Sequence, residues 1–137
     1  MYLIKSGNVF QNDLQKFSSF ISTLVLEEVN AHPDETIKEK MLALIDGHAI
    51  QVLDIDDDVF KIAATYRKKV IPKEINDSIH LAVAAYHKLD AVVSWNFKHI
   101  VNLETIKAIH AVNQTQSFSS VEIVAIENLG GEKYGSL

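Results

Sequence analysis

The 137-residue sequence predicts an α/β domain: a mostly parallel sheet with helices on both faces. Three observations lead there. From Gln51 onward, apolar patterns of helical and strand type alternate, the order expected when crossover helices connect parallel strands. The run Ala91-Val92-Val93-Ser94 is short, uncharged and closed by a polar residue, as a buried parallel strand should be. Apolar residues make up 47% of the chain and charged residues 23%, a globular balance and not a disordered one. The length suits one domain over residues 1–137 with one core.

Element by element, residues 1–16 fit no period, because Gly7, Asn8, Gln11 and Asn12 interrupt the apolar residues. Lys16 to Ile21 predicts a short strand. Ser22 then opens a helix that must stop before Pro33, since the residue before proline is pushed out of the α region. Asp34 is placed to cap the next helix, Ile37, Met41, Leu44 and Ile45 recur at helical spacing, and Gly47 marks its end. Gln51 to Ile55 predicts a strand. The acidic run Asp56-Asp57-Asp58 admits a metal reading, but acids that cap a helix and complement its dipole explain it more simply. Val59, Ile62, Ala63, Tyr66 and Val70 form the apolar stripe of that helix.

Residues 71–75 predict a loop. Residues 76–89 predict a helix capped by Asn76 or Asp77, with Ile79, Ala82, Val83 and Tyr86 on one face. A helix over Leu103 to Val112 and a strand over Val121 to Ile126 follow, and residues 128–137 predict a loose tail. The strands near 51–55, 91–94 and 121–126 are expected to lie adjacent or nearly so.

Composition narrows the function. The chain contains no cysteine, which excludes disulfides and thiolate-metal centres. No stretch nears the roughly 18 apolar residues that a membrane span needs, and residues 1–5 carry no basic leader, so the cytoplasm is the expected compartment. The formal charge of −5 argues against a protein that merely coats nucleic acid, whose binding is driven by neutralising phosphates. It does not exclude a metal-dependent nuclease, whose site must be acidic to hold hard cations.

Asp77 falls in the first turn of its helix, where the dipole and free N–H groups favour the charged carboxylate. Asn96 falls just beyond the strand that follows. Strand ends and the starts of succeeding helices share the carboxyl edge of such a sheet, so Asp77 and Asn96 are candidates for one site.

The stretch NDSIHLAVAAYHKLDAVVSWNFKHI, residues 76–100, resembles the PIN-domain family, and particularly the VapC-type toxins of toxin–antitoxin systems. Asp77 and His80 match its third acidic motif. Ser94 to His99 (SWNFKH) is similar to the site after the next strand, where a branch of the family reads Trp-Asn-x-x-His. Ile21 to Glu28 (ISTLVLEE) is similar to its Ser-x-x-x-x-x-Glu motif and aligns Glu28 with the second acidic ligand. The resemblance covers about residues 17–127.

It implies a three-layer PIN-like fold and an endoribonuclease in which acidic side chains hold Mg²⁺ or Mn²⁺. It also implies an RNA substrate, a homodimer and an antitoxin partner. The implied catalytic and metal-binding residues are Glu28, Asp77 and Asn96, with Lys98 and His99 as phosphate contacts. The family begins with a strand ending in Asp-Thr or Asp-Ser, about thirty residues before the Ser…Glu motif. Here only 21 residues precede Ser22, and Tyr2-Leu3-Ile4 in that strand's place would put Lys5 where the first Asp belongs. Two carboxylates then stand where the family has three or four, so weak metal binding and impaired cleavage are expected. The alternative is a catalytically inactive module that binds a partner or itself. An uncovered strand edge, left by the missing first strand, would favour such association.

The other candidates have plainer readings. His80 reads as a hydrogen-bonded packing residue before a ligand, Glu27 as solvated, and Trp95 and Phe97 as packing groups before base-stacking ones. Lys98 and His99 read equally well as a solvated helix start.

Overall fold

The computed structural model describes residues 2–6, 17–47, 50–94 and 102–125. In chain order its elements are β1 (Tyr2–Ser6), β2 (Phe17–Ser22), α1 (Thr23–Asn30), α2 (Glu35–Gly47), β3 (Gln51–Leu53), α3 (Asp57–Lys69), α4 (Ile75–Tyr86), β4 (Ala91–Ser94), α5 (Leu103–Thr115) and β5 (Glu122–Ala125). The expected alternation is present, and the chain has the predicted α/β architecture.

Local chemistry sets the helix starts. Ser22 Oγ accepts from Val25 N at 3.4 Å, Asp34 Oδ1 from Thr36 N and Ile37 N at 2.9 and 3.2 Å, and Asn102 Oδ1 from Thr105 N at 2.8 Å. Each satisfies an orphan donor of a first turn. Asp56 Oδ1 accepts from Val59 N at 3.1 Å, while Asp57 and Asp58 occupy the first turn of α3. The capping reading of the acidic run is the one the geometry supports.

The five strands are ordered β3-β2-β1-β4-β5. β2 pairs parallel with β3, and β4 parallel with β5. β1 runs antiparallel to both of its neighbours, with Leu3 opposite Phe20 on one side and Val92 on the other. Four strands therefore share one direction, and β1 alone opposes them.

Three expectations are corrected here. The strands at 51–55 and 91–94 are not near neighbours: β3 is at one edge of the sheet, with β2 and β1 between it and β4. No edge of β2 or β4 is left open by a missing strand, because β1 pairs with both. Lys5 does not lie at the carboxyl ends of the parallel strands, since it pairs with Ser18 near the start of β2. The physical reason is common to all three. Strand pairing is a long-range choice, and five extended residues in the middle of a sheet carry little periodic signature of their own.

β2 divides the core by its alternation. Phe20 packs against the larger cluster, built on Val59, Ala63 and Tyr66 of α3, Leu81 to Ala85 of α4, Val92 of β4, Ile109 and Val112 of α5, and Ile123 of β5. Ile21, the next residue, belongs to a second cluster with Val25 and Val29 of α1, against which Met41, Leu42 and Ile45 of α2 pack. Successive strand side chains point to opposite faces, so the sheet carries helices on both sides.

α4 departs from the one-face expectation. Every residue from Ser78 to Ala85 is buried, while Tyr86 is exposed; a helix apolar on all sides belongs in a core. Its polar members are held. Ser78 Oγ accepts from Arg67 Nη1 at 2.9 Å and donates to Ile75 O at 2.6 Å. Among the described residues no helix is long and apolar enough to cross a membrane. The expected loose tail at 128–137 lies outside the described residues.

Candidate active site

Both ends of β1's neighbours matter for the site. β2 and β4 each oppose β1, so they run parallel and end at one edge, in Ser22 and Ser94. From Ser22 the chain turns directly into α1, whose last turns carry Glu28. α4 brings its first turns beside α1 with Asn76, Asp77 and His80.

Asn76 and His80 are four residues apart and so share one face of α4. Both reach the same carboxylate. Asn76 Nδ2 donates to Glu28 Oε2 at 3.1 Å, and His80 Nε2 lies 3.3 Å from Glu28 Oε1. The His80 side chain is 3% exposed and that of Glu28 is 42% exposed, so the contact runs from the core to the surface. His80 Nδ1 is buried without a hydrogen-bond partner. The ring's polar contact is made through Nε2, which must carry a proton to bond a carboxylate.

The hydrogen bond from His80 holds the Glu28 carboxyl below its ordinary value of 4.5; partial burial opposes this, and the His80 charge and the Asn76 amide reinforce it. Glu28 is thus anionic across the neutral range. Asp77 sits in the first turn of α4, where a carboxylate complements the dipole, and it is partly exposed. Neither Asn76 nor Asp77 is the N-cap of α4. Glu74 holds that position and makes no side-chain capping bond, so the Asn76 amide remains available to Glu28.

His80 takes the role its sequence context suggested, a buried hydrogen-bonded residue. Asn76 was legible only as a cap; its spacing of four from His80 was the available signal that the two could serve one acceptor. Glu27 is exposed, as expected. Asn96, Lys98 and His99, together with Trp95 and Phe97, lie outside the described residues.

A divalent ion of the Mg²⁺ type needs several oxygen ligands in near-octahedral order. Glu28 and Asp77 are donors of the right kind. Among the described residues, however, no group of three or more His, Asp or Glu side chains could hold a metal ion. β1, the strand between β2 and β4, contains no acid in its sequence YLIKS. The described donors therefore do not amount to a divalent-ion site.

Comparison with known proteins adds one positive result. The PIN domain family model matches residues 10–100, more than half of the chain. The matched span begins after β1 and ends before α5, and it contains Glu28, Asn76, Asp77, His80 and Asn96. No curated protein and no solved structure matches the chain. With a family match of that extent on an α/β fold of this kind, the chain belongs to the PIN domain family.

Proposed function

We propose that this chain is a toxin-type PIN domain that acts on RNA, with metal-dependent endoribonuclease ancestry and impaired phosphodiester hydrolysis, and with Glu28, Asp77 and Asn96 as its site residues. Membership of a nuclease-type family supports the chemistry. The observation that carries the impairment is the shortage of acids: among the described residues no group of three or more His, Asp or Glu side chains could hold a metal ion. Catalysis of this kind needs its groups held to about 0.5 Å, and a site short of anionic donors holds an ion loosely. Mg²⁺ or Mn²⁺ is the ion that family membership suggests, and it would supply charge stabilisation at the scissile phosphate.

The chain's own residues have definable parts. Glu28 supplies a fixed anion, Asp77 supplies a second at the start of α4, and Asn96 offers a neutral oxygen where the family often has an acid. Lys98 and His99 are the proposed phosphate contacts. A homodimer and an antitoxin protein are the proposed partners, and the cytoplasm the proposed compartment.

The test is cleavage of a mixed RNA substrate in Mg²⁺ and in Mn²⁺ by the 137-residue chain and by Asp77→Ala. Slow cleavage that Asp77→Ala abolishes is the expected result. Brisk cleavage would overturn the impairment, and cleavage indifferent to Asp77→Ala would overturn the site.

A further inference from the structure

We propose that Asn76 and His80 are positioning residues, which together fix the orientation of the Glu28 carboxylate at the site. The inference rests on the functional reading above for the purpose of that carboxylate, and on geometry alone for the positioning.

A glutamate near the end of an eight-residue surface helix has three rotatable bonds and no reason to hold one rotamer. Here each oxygen meets a different donor, one at 3.1 Å and one at 3.3 Å. Two donors on separate oxygens fix the plane of the carboxylate as well as its place, which a single bond cannot do. The donors come from one rigid element. His80 stands in the buried run of α4, so its ring cannot swing without disturbing the core, and its Nδ1 finds no competing partner. Asn76 is exposed, so nothing in its burial accounts for the contact; its amide faces Glu28 across the gap between α1 and α4. Each carboxylate oxygen keeps a lone pair for a further interaction. This is how outer hydrogen-bonding groups commonly serve an acidic site residue, and their loss typically costs about 10- to 100-fold.

The experiment uses the full chain with three variants: Asn76→Ala, His80→Leu and His80→Gln, the last keeping an N–H near the Nε2 position. At neutral pH, the ¹³Cδ resonance of Glu28 and the long-range ¹H–¹⁵N pattern of the His80 ring report the bonds directly. We expect an Nε2–H signature in the native ring, a displaced Glu28 resonance in Asn76→Ala and His80→Leu, and its recovery in His80→Gln. In RNA cleavage, Asn76→Ala and His80→Leu should lower kcat about 10-fold or more with KM within about twofold, and His80→Gln should restore part of the rate.

An unmoved Glu28 resonance in Asn76→Ala, with a native ring protonated on Nδ1 alone, would overturn the positioning even if His80→Leu fails to fold. Unchanged kcat in Asn76→Ala, while Asp77→Ala abolishes cleavage, would overturn it and leave the functional reading intact. If Asp77→Ala leaves cleavage unaffected, the functional reading falls, and the two resonances still decide whether the carboxylate is fixed as described.

Discussion

The Nε2 atom of His80 lies 3.3 Å from Oε1 of Glu28, joining a ring that is 3% exposed to a carboxylate that is 42% exposed. Water screens the outer half of this pair, so its worth resembles that of a surface contact more than that of a buried ion pair. A double-mutant cycle with Glu28→Gln and His80→Gln should give a coupling of roughly 0.2–1 kcal/mol. Additive losses would mean the two side chains do not interact. The pH dependence has a definite sign. The Glu28 carboxyl is held below its ordinary 4.5, so its contribution is complete above that value and is lost as pH falls below it toward the lowered one. Acid unfolding of Glu28→Gln should lack this component.

Deep in the larger core, the Tyr66 hydroxyl donates to Asn113 Oδ1, both side chains being buried. Burial pushes the Tyr66 hydroxyl well above its ordinary value of 10.0. Its raised folded value means that stability is full below pH 10 and is lost as pH rises beyond it. Tyr66→Phe should destabilise by about 1–3 kcal/mol in urea unfolding, because the Asn113 carbonyl would lose its partner.

Removing the cap of α3 is a cleaner local test. Asp56→Ala strips the acceptor from Val59 N and should cost about 1 kcal/mol. The same carboxylate, with that of Asp58, raises the Tyr86 hydroxyl above its ordinary value. Tyr86 ionisation, followed by ultraviolet absorbance, should therefore move to lower pH in Asp56→Ala. Loss of stability without that movement would separate the cap from the electrostatics.

Asn96→Asp tests the shortage of charge. An added carboxylate should tighten Mn²⁺ binding, read by water-proton relaxation, while recovering little RNA cleavage. Full recovery of cleavage would show that charge at position 96 alone was limiting.

What could be read from the sequence was mostly local. Ser22, Asp34 and Asp56 announced their helices because capping is decided within four residues. Ala91 to Ser94 was legible as a strand from its uncharged, apolar run. The pairing Asn76–Glu28 spans 48 positions, and nothing short-range encodes it. The direction of β1 is hidden for a related reason. Its five residues carry no turn signature that sets their direction, and only β2 and β4 decide it. Glu28 is marked by motif resemblance, and Asp77 by that resemblance and by its place in the first turn of a helix; the PIN match supports the family.

The single reversed strand has a consequence for how the molecule opens. β3-β2 and β4-β5 are two parallel ribbons, and in the sheet they meet only through β1. Backbone continuity from one ribbon to the other therefore passes through the registers of Tyr2 to Ser6. Should β1 detach, the inward-facing amides of β2 and β4 lose their acceptors together. Hydrogen exchange should find those two rows of amides opening as one unit, while the bonds within each ribbon exchange on their own schedule.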